Sequence, residues 1–119
     1  MRHELFPFDE LPAEGGIRQV LVDKTKIAVV RTPDGGVHAL NDRCPHQGAQ
    51  FSNGGRVRRL VAGPTAGEYE VAEGQYVVLC PHHGFEFNVE DGKCPADPTH
   101  TRVKCYVVSV EDGMVVLNK

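Results

Sequence analysis

Turn-forming residues interrupt this chain so often that a long helix has no room to form. Its 119 residues include 13 glycines and 8 prolines, and apolar residues nowhere keep helical spacing over a dozen positions. Between the turns lie short runs rich in valine, isoleucine, phenylalanine and tyrosine, a composition that strands favour. These runs are 17–22, 26–31, 37–41, 76–80, 85–89, 103–110 and 114–117. The pattern predicts an all-β chain of short antiparallel strands joined by hairpins.

Length and charge limit the chain further. A chain of 119 residues builds one compact core, so residues 1–119 are expected to form a single domain. The formal net charge is −3 and the basic residues are scattered, which argues against a nucleic-acid partner. No run approaches the roughly 20 apolar residues that span a bilayer. Asp9 and Glu10 stand where a signal peptide needs an apolar stretch. We therefore expect a cytoplasmic protein with no membrane partner.

Two short motifs carry the residues best suited to chemistry. The first is CPHQG at positions 44–48, and the second is CPHHG at positions 80–84. Each supplies a cysteine thiolate and a histidine imidazole on one tight loop, where proline and glycine shape the backbone. In a cytoplasmic setting, paired cysteines of this kind favour metal binding over disulfides. Two such loops facing each other make a site with four ligands.

Two kinds of metal site suit two cysteines and two histidines. A tetrahedral zinc ion accepts this ligand set, commonly with about two to four residues between paired ligands. Only one residue separates Cys44 from His46, which is tight for chelating a single ion. A binuclear iron cluster relaxes that demand, because the cysteines can bind one iron and the histidines the other. The spacing favours the binuclear cluster, and a structural zinc module is the alternative.

Both motifs and their flanks resemble Rieske domains. Residues 41–43 before the first motif and 85–88 after the second belong to the similarity, which extends over nearly the whole chain. The resemblance implies a fold of antiparallel sheets with a cluster-binding subdomain of two loops, about 42–53 and 79–98, at its tip. Residues 94–98 resemble the proline-containing loop that covers the cluster in that family. The resemblance implies one Rieske-type 2Fe-2S cluster with four ligands, Cys44, His46, Cys80 and His83.

The chain departs from other members of that family in two respects. The interval between its motifs is long, so an inserted hairpin is expected at about 55–75. Ala49 and His82 stand where high-potential members carry disulfide cysteines, and Phe85 and Phe87 replace their Ser and Tyr hydroxyls. Fewer hydroxyl donors stabilise less of the negative charge that reduction adds. The comparison implies a reduction potential near the low end of the Rieske range of about −150 to +300 mV.

The remaining histidines and cysteines have ordinary interpretations. His82 repeats the Cys-x-His spacing of the first motif, but we favour His83 as the ligand and expect His82 to face a partner or water. Cys94 and Cys105 are spare thiols or a disulfide in one interpretation. We favour small core side chains, because Cys105 alternates with valines in a predicted strand.

The expected function is one-electron transfer by a protein of the Rieske ferredoxin class, not catalysis by the chain itself. Electrons are expected to pass from a flavin-dependent or ferredoxin reductase to a terminal oxygenase or another oxidoreductase. The alternative is a tightly bound small subunit of a larger enzyme, similar to that of nitrite reductase. Three arginines are interpreted as a solvated face, with docking of an acidic redox partner as the second interpretation: Arg56, Arg58 and Arg59.

Overall fold

The structure is a computed structural model, and it is almost entirely β. It describes residues 2–11, 15–45, 48–65, 68–81, 86–94 and 101–119, with the backbone alone for 59–65 and 68–75. The described parts contain one 3₁₀ turn, Phe8–Glu10, and no α-helix, so no helix there is long and apolar enough to span a membrane. The all-β prediction is confirmed. The strands are β1 (Arg2–Pro7), β2 (Ile17–Val22), β3 (Thr25–Arg31), β4 (Val37–Asn41), β5 (Arg56–Thr65), β6 (Glu68–Leu79), β7 (Glu86–Asn88), β8 (Cys105–Glu111) and β9 (Met114–Asn118).

The strands form two antiparallel sheets. The larger has the order β1-β9-β8-β4-β3-β2, and the smaller has the order β5-β6-β7. Tight hairpins connect β2 to β3 and β8 to β9, and their turns use positive φ at Asp23 (48°), Lys24 (68°), Asp112 (50°) and Gly113 (76°). Positive φ at both central residues gives the hairpin turn whose twist matches that of the flanking strands. Both turns lie where the sequence predicts them.

The first strand is absent from the sequence prediction. β1 pairs with β9 at the edge of the larger sheet, and its register shifts between Glu4 and Phe6. Its charged residues point to solvent, where Arg2 and Glu4 form an ion pair of 3.1 Å, and Pro7 ends it. Charges and proline are features of edge strands that disguise them in a search for apolar runs. Only Phe6 of this strand is fully buried.

The main core lies where the two sheets meet. Its buried side chains come from β3 and β4 of the larger sheet, from β6 and β7 of the smaller one, and from the segments that follow β4, β6 and β7. Two cysteines of the motifs belong to the same cluster, as does the aromatic pair Phe51 and Phe87, whose ring centroids are 5.6 Å apart in an edge-to-face arrangement. The core therefore connects the larger sheet to the loops that follow β4 and β6. The buried members are Ala28, Val30, Leu40, Cys44, Phe51, Tyr76, Val78, Cys80, Phe87, Val89, Cys94 and Val103.

The region predicted as an inserted hairpin falls on β5 and β6. These strands have 10 and 12 residues and pair antiparallel, with register shifts between Arg59 and Val61 and between Ala62 and Thr65. The end of β6 also pairs with β7, where Val77 faces Asn88. The hairpin is thus continuous with the strand that carries the second motif. Its status as an insertion relative to other proteins stays a prediction.

Candidate metal centre

The first cysteine loop follows β4 and is closed by its own backbone. The Cys44 N–H donates to the Ala49 carbonyl at 2.7 Å, and the Gly48 N–H donates to the Cys44 carbonyl at 2.8 Å. Gly48 has φ +71°, a conformation that glycine adopts without a steric penalty. The predicted ligand His46 lies outside the described residues. The backbone therefore fixes both ends of a short loop that contains it.

A buried carboxylate, that of Asp42, connects this loop to the larger sheet. Asp42 is 2% exposed and accepts hydrogen bonds from the Gln19 side-chain amide at 2.7 Å, from the Ser52 N–H at 3.0 Å and from the Ser52 hydroxyl. Ser52 lies in the turn after the loop and Gln19 lies on β2. Asp42 thus ties both ends of the segment 42–53 to the larger sheet. Asp42 was not among the predicted site residues, and the only signal for it was its place in the segment 41–43 that precedes the first motif.

The second cysteine loop follows β6 directly. Leu79, the last residue of β6, pairs with Glu86, the first residue of β7, so the strand ladder closes the loop between them. Cys80 is the first residue of that loop. The predicted ligand His83 and its neighbour His82 lie outside the described residues, as does Phe85. Each cysteine of the two motifs therefore stands at the start of a loop whose base is held by hydrogen bonds.

The structure brings the two motif cysteines into one apolar cluster. Cys44 is 0% exposed and Cys80 is 2% exposed. The edge-to-face pair of Phe51 and Phe87 belongs to the same cluster and helps to exclude water from it. Thiolates are the ligands that iron–sulfur clusters require, and a dry apolar shell is the setting in which they are held. The donor set present therefore fits an iron–sulfur cluster.

The complete ligand set reaches beyond the described part of the chain. Within the described residues, no three histidine, cysteine or acidic side chains come together closely enough to hold a metal ion. Two of the four predicted ligands, His46 and His83, are outside those residues. The assignment of Cys44, His46, Cys80 and His83 as ligands stays a prediction at this point.

The other two cysteines differ from the motif cysteines. Cys94 is buried in the same core, and Cys105 is half-buried against it; both are free thiols. Burial, together with the negative charge of Asp91, raises the pKa of the Cys105 thiol to about 11, so it stays protonated at neutral pH. Val107 is one of the valines with which Cys105 alternates, and the pattern predicted it on the core face, but Val107 is 69% exposed. The segment that follows β7 covers Cys105, since the Cys105 thiol lies 4.0 Å from the Val89 carbonyl oxygen.

The predicted covering loop is only partly described. Cys94 donates its N–H to the Thr101 carbonyl at 3.0 Å, and Lys93 forms a bridge with Arg102. These contacts close the base of the segment between them. Residues 95–98, which carry the prolines of the predicted covering loop, lie outside the described residues.

Two polar clefts border the cysteine loops. The larger, of about 470 Å³, lies beside the first loop and is lined by Lys24, Thr25, Lys26, Asn41, Asp42, Arg43, Gly48 and Gln50. The smaller, of about 280 Å³, lies beside the second loop and is lined by Gly54, Arg56, Leu79, Cys80 and Pro81. Of the three arginines singled out in the sequence, Arg56 thus lies at a cleft, whereas Arg58 pairs with Glu86 at 2.8 Å. The side chain of Arg59 lies outside the described part of the structure.

Comparison with known families decides what this arrangement is. The model of the Rieske [2Fe-2S] domain matches residues 2–107. The chain belongs to the Rieske [2Fe-2S] domain family. Its cofactor is accordingly one Rieske-type 2Fe-2S cluster, and its antiparallel sheets are the Rieske fold. The resemblance stated from the two motifs is thereby confirmed.

Individual relatives include both short and long Rieske proteins. The chain is 30% identical over 109 residues to the 3-phenylpropionate/cinnamic acid dioxygenase ferredoxin subunit of Photorhabdus laumondii, covering 92% of this chain and 86% of that protein. It is 31% identical over 86 residues to cholesterol 7-desaturase of Caenorhabditis elegans, covering 72% of this chain. The chain spans only 14–21% of the length of the cholesterol 7-desaturases it matches.

A solved structure of similar size shares the fold over the whole chain. It is a crystal structure from Mycobacterium tuberculosis, described as the small subunit of an NADH-dependent nitrite reductase. The match covers 100% of this Rieske chain and 95% of that one, with a TM-score of 0.76 and 26% sequence identity. The two chains therefore agree in overall topology and in length.

Proposed function

We propose that this Rieske chain is a one-electron carrier that takes electrons from a flavin-dependent or ferredoxin reductase and passes them to a terminal oxygenase. The observation that supports it most strongly is the burial of Cys44 and Cys80 in one apolar cluster, each at the start of a closed loop. The similarity to a dioxygenase ferredoxin subunit of nearly the same length supports the same role. The ligands in this proposal are Cys44, His46, Cys80 and His83.

Each part of the proposed site has a separate task. The Cys44 and Cys80 thiolates hold the metal in the apolar core, and the Phe51 and Phe87 rings keep water away from them. The imidazoles of His46 and His83 complete the ligand set from the same two loops. When bound, the cluster supplies reversible one-electron redox chemistry. Asp42 and the backbone hydrogen bonds of the first loop hold that loop and its ligands in place. These groups take up no electrons themselves.

Reductive titration tests the carrier role. The purified protein is titrated anaerobically with dithionite while its visible absorption is followed, and it is then reoxidised with a one-electron acceptor. We expect one electron taken up and returned per chain, because a 2Fe-2S cluster accepts a single electron. A colourless protein containing zinc, without iron or acid-labile sulfide, would instead establish the structural zinc module and refute the carrier role.

Substitution of the cysteines tests half of the ligand set. Cys44→Ser and Cys80→Ser are each expected to lose nearly all bound iron and sulfide, because a hydroxyl replaces a thiolate ligand. Cys105→Ser is the matched control, since Cys105 is a half-buried thiol with a raised pKa. Iron and sulfide assays on the three purified variants give the comparison. Equal iron in the Cys44 variant and the control would exclude Cys44 as a ligand.

Adjacent histidines provide a matched pair for the other half. His83→Ala is expected to lose the cluster, whereas His82→Ala is expected to retain it with unchanged visible absorption. The two variants remove the same side chain from neighbouring positions, so a general disturbance of the loop affects both. The reverse result would move the ligand assignment from His83 to His82.

The second candidate is a permanently bound small subunit of a larger oxidoreductase such as nitrite reductase. The whole-chain match to the Mycobacterium tuberculosis structure favours it. Gel filtration of the protein purified from its native cells distinguishes the two roles. A carrier elutes near its own mass of 13.0 kDa, whereas a bound subunit elutes with a larger enzyme in equal molar amounts.

A further inference from the structure

The cleft beside the first cysteine loop has the opposite charge to the chain as a whole. The chain carries a formal net charge of −3, yet the side chains that line this cleft include three exposed cations and one carboxylate. We name it the basic cleft and define its cationic side chains as Lys24, Lys26 and Arg43. Lys24 lies in the turn between β2 and β3, Lys26 lies on β3, and Arg43 directly precedes the first cysteine. The cleft thus brings together residues that are distant in the sequence.

The positive charge of the basic cleft is not neutralised within the described residues. Ion pairs there involve Arg2, His3, Arg18 and Arg58, and none joins a carboxylate to a cation of the basic cleft. The lining carboxylate, Asp42, is buried and accepts three hydrogen bonds from neighbouring residues. The cations are therefore available to a negatively charged group from outside.

The basic cleft borders the proposed ligand loop itself. Arg43 directly precedes Cys44, and Gly48 of the same loop lies against the Arg43 guanidinium, whose Nε is 3.4 Å from the position of a Cβ at Gly48. The cleft beside the second loop adds Arg56 and no acidic residue. A partner held at the basic cleft lies next to the first cysteine loop. This position favours electron transfer, because the transfer rate falls steeply with distance.

We propose that the basic cleft binds an acidic surface of the redox partner protein, with Lys24, Lys26 and Arg43 facing its carboxylates. This inference rests on the proposed carrier function and adds the chemistry of the partner. Complementary charge speeds encounter and fixes orientation more than it increases affinity, which suits a partner that must bind and leave at each transfer. The proposed docking site therefore consists of the cations of the basic cleft. It differs from the set Arg56, Arg58 and Arg59 that the sequence suggested.

Charge neutralisation on the hairpin turn tests the proposal without touching the cysteine loop. The test variant is Lys24→Gln with Lys26→Gln. The control is Arg2→Gln with Lys93→Gln, which removes the same charge from two exposed residues that line neither cleft. The probe is a reduced plant-type 2Fe-2S ferredoxin of strongly acidic surface, whose potential of about −400 mV is below the Rieske range. In each reaction the probe loses one electron and the Rieske chain gains one.

Stopped-flow mixing gives the second-order rate constant at low and high ionic strength. At low salt we expect the test variant to react about 3–10-fold more slowly than the wild type, with the control within about twofold. The difference is expected to vanish near 0.5 M salt, where charges are screened beyond about 4 Å. An equal loss in both variants, or no loss in the test variant, would overturn the inference.

A binding measurement without electron transfer completes the test. Calorimetric titration of the oxidised Rieske chain with the oxidised probe is expected to give a weaker Kd for the test variant than for the control. Wild-type binding that does not weaken with added salt would refute an electrostatic site. Reduction of all variants by dithionite separates the two proposals. If even the wild type accepts no electron from dithionite, the carrier function fails. If the wild type accepts one electron and the test variant reacts with the probe as fast as the wild type, only the proposal for the basic cleft fails.

Discussion

At the scale of single residues, Asp42 anchors the start of the first cysteine loop. Its carboxylate is buried and receives two hydrogen bonds from Ser52 and one from Gln19. Its own N–H donates to the Lys26 carbonyl at 2.9 Å. Four hydrogen bonds thus attach the start of the first loop to two strands and to the following turn. A buried carboxylate with this many hydrogen bonds is costly to alter, because a buried group that loses its partner gains no hydrogen bond from water in exchange.

Replacing this carboxylate gives a stability prediction. Asp42→Asn keeps the shape but presents an NH₂ group to donors, so we expect a loss of about 1–3 kcal/mol in the free energy of unfolding. Asp112→Asn is the matched control, since Asp112 is exposed in a hairpin turn with φ 50°, and asparagine tolerates that conformation. Urea unfolding of both variants gives the comparison. Equal stability of the two variants would show that the Asp42 network contributes nothing.

His38 on β4 gives a prediction about pH. Burial lowers the pKa of His38 from its ordinary value of 6.5, although the negative charges of Glu90 and Asp34 act in the opposite direction. The unfolded chain therefore binds the proton more readily than the folded chain, and stability falls as the pH drops below about 6.5. We expect His38→Gln to lose less stability than the wild type between pH 7.5 and 5.5. Parallel thermal unfolding curves at the two pH values measure this, and identical losses would contradict it.

At the scale of elements, the two tight hairpins were predictable and the first edge strand, β1, was not. The turn sequences at 23–24 and 111–113 predict their hairpins because they contain residues that accept positive φ. β1 escaped prediction because an edge strand with one solvent face needs few apolar residues. The approach of the segment 89–94 to the residues just before β8 was also beyond prediction, because it depends on hydrogen bonds of Gly92 and Cys94 to residues about ten positions further along the chain.

Gly92 marks that approach and gives a matched test. Gly92 and Gly113 have nearly equal φ of +75° and +76°, but a Cβ at Gly92 would lie 1.9 Å from the Val103 carbonyl oxygen, whereas nothing lies within 4 Å at Gly113. Gly113→Ala is expected to cost about 1–2 kcal/mol for the left-handed backbone alone. Gly92→Ala must also displace Val103, which donates to the Gly92 carbonyl at 2.8 Å. We expect a loss at least twice as large by urea unfolding, or no soluble protein; equal losses would disprove the close approach.

At the scale of the whole molecule, the chemistry of the site was predictable and its surroundings were not. The two motifs name the ligand types and the family because each spacing is short and local. The carboxylate beneath the first loop and the cations that line the basic cleft come from separate strands and turns. Their proximity depends on sheet order, which no local pattern in this sequence records. Sequence therefore indicates the cofactor, and the fold adds how its loop is supported and what can dock beside it.

The reduction potential is a property of this whole arrangement. Phe87 is buried against Phe51 and carries no hydroxyl. The family resemblance implies a tyrosine hydroxyl at this position in high-potential members. We expect a potential in the lower part of the range from about −150 to +300 mV, because few donors stabilise the added electron. Phe87→Tyr is expected to raise it. A redox titration of the wild type giving a value above about +100 mV would contradict this.

The most direct test of the central claim is electron paramagnetic resonance of the dithionite-reduced protein. Two thiolate and two imidazole ligands are predicted to give the signal of a reduced 2Fe-2S cluster with a lower average g value than four thiolates produce. The signal is expected to integrate to one unpaired electron per chain. A spectrum with the higher average g value of a four-cysteine cluster, or no signal from an iron-free protein, would contradict the account.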